Sequence, residues 1–81
     1  MSVRLTVLSR AYCHLCQAMI AELEKLRPRL GFAVEVVDVD ADPALEAKWG
    51  EKVPVLLDGE QEICHYFLDA GALEARLAGI K

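Results

Sequence analysis

The sequence has no asparagine, only three cysteines and fewer basic than acidic residues, and each shortage narrows what the chain can do. Without asparagine, one common amide source is missing from any catalytic constellation. Three cysteines are too few for a disulfide-stapled framework, and the odd count leaves at least one thiol unpaired. Nine Lys or Arg stand against thirteen Asp or Glu, and the resulting formal charge of −4 disfavours non-specific association with nucleic acid or an anionic membrane. No basic run with interleaved aromatics offsets that balance. No apolar run reaches the roughly 20 residues that a membrane-spanning helix needs. Arg10 interrupts the apolar N-terminal residues and no small-residue cleavage site follows, so they do not read as a secretion signal. Together with the sparse cysteines, this sets the expectation of a reducing, cytoplasmic setting. A glycine-rich phosphate loop and a serine–histidine–acid signature are also missing.

What remains is the composition of a folded protein, with 54% hydrophobic and 27% charged residues. A length of 81 residues predicts one domain, 1–81, with a core of limited size.

The organising stretch is Ser9-Arg10-Ala11-Tyr12-Cys13-His14-Leu15-Cys16. Before it, Val3, Leu5 and Val7 alternate as in a strand; after it, Leu15, Ala18, Met19, Leu23, Leu26 and Leu30 recur at helical spacing. The two cysteines therefore fall where a strand hands over to a helix. At a helix start, unpaired backbone N–H groups and the positive end of the dipole stabilise a Cys13 thiolate. Cys16 sits one turn further on the same side, within reach of a disulfide. The outer Cys13 is assigned attack and the more covered Cys16 resolution. His14 and Arg10 are candidate cations beside the thiol, or else ordinary surface residues. The same cysteine spacing occurs in zinc sites, and Cys64-His65 formally supplies two further ligands. Adjacent strand residues point to opposite faces, however, which argues against one tetrahedral ion. Cys64 is instead expected to pack as a small core residue.

Along the chain, Val3 to Leu8 predicts an inner strand, and a helix follows from about Cys13 or His14 to Leu26 or a little beyond. Arg27-Pro28 signals its end, and Gly31 resets the backbone. Phe32 to Asp40 predicts a second strand buried between helices, parallel to the first, with Glu35 at an edge or in water. Asp38 and Asp40 read as a solvated connection rather than a carboxylate site. Asp42-Pro43 starts a short helix with Leu45 and Trp49 on one face, Trp49 as a core anchor and Gly50 as its stop. Lys52 to Leu57 and Gln61 to His65 form an antiparallel pair about Asp58-Gly59, with Pro54 at the strand start. Asp69 caps a last helix with Leu73 and Leu77 inward, Glu74 and Arg76 outward, and Gly79 as its stop. The order is an α/β one, β-α-β-α-β-β-α.

The combination of Cys13-His14-Leu15-Cys16, this element order and Val53-Pro54 resembles the glutaredoxin-like branch of the thioredoxin fold over nearly the whole chain. The resemblance implies a four-stranded mixed sheet flanked by three helices. It also implies a cis bond at Val53-Pro54 facing the cysteines, with Val53 pairing in β fashion with a peptide or with glutathione. Val53 and Pro54 are the substrate contacts that the resemblance implies, and Arg10, Tyr12 and His14, beside the cysteines in the sequence, are further candidate substrate contacts. Two features depart from glutathione-dependent members. His14-Leu15 replaces their proline-tyrosine pair, and Cys64-His65-Tyr66-Phe67-Leu68-Asp69 stands where they carry Gly-Gly and an acidic segment. The implied function is a small thiol-disulfide oxidoreductase without a bound cofactor, acting on a disulfide-containing protein or a small mixed disulfide. Its reductant is a dithiol protein or glutathione. A redox-regulated binding module and a zinc or iron–sulfur scaffold are the alternative readings.

Overall fold

The computed structural model describes residues 3–80. Its elements are β1 (Val3–Ser9), α1 (His14–Leu30), β2 (Phe32–Asp38), a 3₁₀ turn (Val39–Ala41), α2 (Pro43–Trp49), β3 (Val55–Asp58), β4 (Gln61–His65) and α3 (Ala70–Ile80). The strands form one sheet in the order β2-β1-β3-β4. β1 runs parallel to β2 and antiparallel to β3, and β3 is antiparallel to β4, which makes the thioredoxin-like mixed sheet that the resemblance implies.

Both sheet faces are covered, because β1 is apolar on both sides at its C-terminal half. Leu5 and Val7 point to one face and join Met19 and Leu23 of α1, Leu56 of β3, and Leu73 and Leu77 of α3 in the main core. Leu8 points the other way and packs with Val39, Val55 and Leu57 beneath Leu45 and Trp49 of α2. Trp49 is half-buried there, with the Lys48 and Lys52 ammonium groups 5.2 and 5.7 Å from its ring centroid. The β3–β4 hairpin closes through Gly59, at φ 63°, and Glu60; a positive φ at the first loop position is what glycine supplies without cost. Arg76 Nε donates to Asp58 Oδ2 at 2.7 Å and ties α3 to this hairpin.

Three local expectations are corrected. α1 continues through Pro28 to Leu30 and stops at Gly31, whose φ of 74° allows its N–H to reach the Arg27 carbonyl at 2.8 Å. Pro28 lies in the last turn, where its ring removes one backbone bond without ending the helix. β2 ends at Asp38 and is an edge strand, so Val36 is 51% exposed rather than buried between helices. Val39 leaves the strand to bury itself from the 3₁₀ turn. Gly50 stops α2 as expected, in right-handed geometry at φ −55°, so glycine is required there by space and not by backbone hand. α3 passes through Gly79 to Ile80.

Candidate active site

The redox pair is built at the end of the sheet where β1 delivers the chain to α1. Cys13 is the N-cap residue, extended at φ −105° and ψ 106°, and its carbonyl accepts the first helical bond from Gln17 N–H at 3.1 Å. Its Sγ accepts from the Cys16 N–H at 3.1 Å, as an N-cap oxygen does in other helices. The first turn of α1 contains no acidic side chain, so no carboxylate of that turn opposes the positive end of the helix dipole at this sulfur. Cys13 and Cys16 are joined in a disulfide, their Cα atoms 5.2 Å apart. Cys13 is half-buried, whereas Cys16 is 1% exposed and packed at the inner side of the helix.

Strand register brings the other expected residues to the same end. Leu8 of β1 pairs with Val55 of β3, and Val55 pairs with His65 of β4. The start of β3 and the end of β4 are therefore level with the cysteines. Val53-Pro54 immediately precedes β3 and has the cis bond that the resemblance implies. Pro54 is buried, and its carbonyl accepts from Tyr66 N–H at 2.8 Å, which binds the segment after β4 to the cis-proline. His14 is exposed in the first turn of α1, and Tyr12, at φ 59°, is 99% exposed just before Cys13.

Arg10 is placed differently from the other candidates. All three of its guanidinium nitrogens are bonded within the protein. Nε lies 3.2 and 3.1 Å from the two Asp40 carboxylate oxygens, Nη2 lies 3.0 Å from Asp40 Oδ1, and Nη1 donates to the Gly50 carbonyl at 3.1 Å. Glu46 adds a longer ion pair at 3.6 Å. The hydrogen bond to Asp40 is the main reason the Arg10 pKa is raised further.

Sequence reading did not single out Tyr66 and Phe67 as surface features. They are 41% and 69% exposed, and with Tyr12 and Leu15 they give this end of the sheet four of the large exposed apolar side chains. The available signal was two adjacent aromatics directly after the last strand. Tyr66 takes φ 65°, donates its hydroxyl to the Glu51 carbonyl at 2.9 Å, and meets the His65 ring edge-on at 4.7 Å. His65 Nδ1 also lies 2.5 Å from Glu62 Oε2. Cys64 is half-buried against the main core, and burial pushes its thiol pKa up. Among the described residues, no group of three or more His, Cys, Asp or Glu side chains converges as a metal site requires. No described helix is long and apolar enough to cross a membrane.

Residues 4–78 match the family described as a glutaredoxin-like domain (DUF836). An uncharacterized protein of Mycobacterium tuberculosis is 32% identical over 77 residues, covering 89% of this chain and 79% of that protein. A solution structure from Nitrosomonas europaea is 37% identical with a TM-score of 0.85, covering 94% of this chain and 92% of the other. An X-ray structure of a protein from X. campestris is 36% identical with a TM-score of 0.73, over 93% and 96% of the two chains. Thioredoxin 1 from Thermosipho africanus, at 22% identity and a TM-score of 0.64 over 96% and 98% of the two chains, shares the fold. In that fold a closely spaced cysteine pair that closes into a disulfide at a helix start supports thiol–disulfide exchange. The family match over residues 4–78, with this topology and this dithiol, shows that the chain belongs to the glutaredoxin-like family of the thioredoxin fold.

Proposed function

We propose that the protein is a dithiol oxidoreductase in which Cys13 attacks and Cys16 resolves. The Cys13 thiolate attacks one sulfur of a partner disulfide, forming a mixed disulfide and expelling the other partner sulfur as a thiolate. The Cys16 thiolate then attacks Cys13 Sγ, forming the internal disulfide and releasing the second partner thiolate. Two electrons pass to the partner, and an external thiol donor restores the protein. The observation that carries this assignment is the asymmetry of the pair. Cys13 is the more accessible sulfur and receives the Cys16 N–H, while Cys16 is 1% exposed.

Tyr12, His14, Val53 and Pro54 are proposed to line the substrate, with the Val53 backbone pairing with an extended peptide. The exposed Tyr66 and Phe67 extend that rim. The partner is proposed to be a disulfide-containing protein, and the reductant a dithiol protein in preference to glutathione, because the segment after β4 lacks the Gly-Gly and acidic pattern. A cytoplasmic setting fits a thiol that must be returned to the reduced form. One experiment tests the reading: turnover of a model disulfide with either glutathione or a dithiol protein as reductant, while the Cys13–Cys16 disulfide is quantified. Exchange supported by the dithiol protein with weak glutathione turnover is expected. Efficient glutathione turnover overturns the reductant, and no reversible oxidation overturns the oxidoreductase.

A further inference from the structure

Three residues, Arg10, Ala11 and Tyr12, connect β1 to the Cys13 N-cap. The Ala11 and Tyr12 side chains are exposed, and Tyr12 adopts the left-handed region, which is unfavourable for a bulky side chain. A connection of this kind keeps its shape only when something outside it holds it. The Arg10 guanidinium supplies that hold, reaching Asp40 through two nitrogens and the Gly50 carbonyl through the third. Its partners are themselves fixed. Asp40 N–H donates to Asp38 Oδ1 at 2.9 Å inside the 3₁₀ turn, and Gly50 closes α2 with its N–H on the Glu46 carbonyl at 2.8 Å. The space at Gly50 is tight: a Cβ there would meet Glu46 Oε2, stand 2.5 Å from the Glu46 carbonyl oxygen and come within 3.1 Å of Arg10 Nη2.

We infer that Arg10 is a positioning residue for the exchange reaction, clamping the β1–α1 connection to Asp40 and Gly50 so that Cys13 Sγ is held over the first N–H groups of α1. This rests on the dithiol reading above and deepens it. The role belongs to the fork and not to the charge. Two carboxylates, Asp40 and Glu46, bracket one guanidinium and offset its field at the thiol. A lysine ammonium keeps the charge but is a single point donor that cannot span Asp40 and the Gly50 carbonyl together.

The test measures the Cys13 thiolate pKa in reduced Cys16→Ser protein by alkylation at graded pH, in combination with Arg10→Gln, Arg10→Lys or Asp40→Ala. Urea midpoints are recorded for each variant. If the clamp positions the sulfur, all three variants raise the thiolate pKa by about half a unit, which slows alkylation about three-fold below that pKa. A charge effect gives a different pattern: Arg10→Gln raises the pKa, Asp40→Ala lowers it by freeing the cation, and Arg10→Lys leaves it in place. That pattern overturns the proposal. So does a fall in urea midpoint with an unmoved thiolate pKa, which marks a merely structural ion pair. Arg10→Lys is the mildest change and decides the matter if Asp40→Ala fails to fold. If the variants show the shift while wild-type protein exchanges no disulfide, the oxidoreductase reading is refuted and the clamp stands.

Discussion

The backbone N–H of Cys16 points at Cys13 Sγ across 3.1 Å, so the second cysteine of the pair already solvates the first. A sulfur placed in this way is stabilised as a thiolate, because the N–H dipole favours its charged form. In reduced protein near neutral pH, iodoacetamide is therefore expected to label Cys13 several-fold faster than Cys16, as read by peptide mass analysis. Preferential labelling of Cys16 would reverse the roles. Cys16→Ser is expected to accumulate a mixed disulfide on Cys13, whereas Cys13→Ser forms none.

Gly50 is needed for its missing side chain. Gly50→Ala brings a Cβ against the Glu46 carbonyl and the Arg10 guanidinium, and overpacking of this kind costs about 1–3 kcal/mol. Urea unfolding should show that loss, together with a displaced Arg10 environment by NMR. An unchanged midpoint would mean that α2 moves aside freely.

Cys64 sets an alkaline limit that can be measured on the oxidised protein, where Cys13 and Cys16 do not titrate. Burial raises the Cys64 pKa in the fold, opposed by the Asp69 backbone N–H and assisted by the Asp69 and Glu62 charges. The folded pKa lies above the unfolded one, so the stabilisation is complete below the ordinary thiol value and is lost as pH rises through the folded value. Cys64→Ala should cost about 1 kcal/mol near neutral pH through lost packing. The gap to wild type should narrow as pH rises into the alkaline range. Dithiol turnover should stay near that of wild type, and its complete loss in a folded variant would assign Cys64 to the reaction.

Buried and exposed apolar residues differ in worth. Leu23 is fully buried in the main core, and Leu23→Ala should cost about 2–5 kcal/mol in urea unfolding. Val36 shares the face of Val7 but is 51% exposed on the edge strand, and Val36→Thr should stay within about 0.5 kcal/mol of wild type. A large loss at Val36 would indicate that β2 is covered in solution.

Most of the fold was legible because the signals were local. Alternation in Val3-Leu5-Val7, the Asp42-Pro43 start, the hairpin signal at Asp58-Gly59 and the Asp69 cap each act through bonds or sterics within a few residues, although the turn itself is Gly59-Glu60. The observed cap bonds are Asp42 Oδ1 from Ala44 N–H at 2.9 Å and Asp69 Oδ1 from Ala72 N–H at 3.0 Å. The dithiol was legible for the same reason, since its spacing and its place before a helical pattern define both the cap and the disulfide.

Sequence alone therefore determined the element order, the redox pair and the identity of the main inward residues, all of which depend on short-range periodicity. Tertiary structure decided which strand lies at the edge, since Val34-Glu35-Val36-Val37 reads equally well as a central strand until β1 takes β2 on one side and β3 on the other. It also decided what Arg10 binds. Its partners Asp40 and Gly50 are thirty and forty residues away, and no local pattern marks them. Packing of α2 against the Leu8 face brings them to the guanidinium, and a charge is then held by whichever oxygens the fold delivers within about 3 Å.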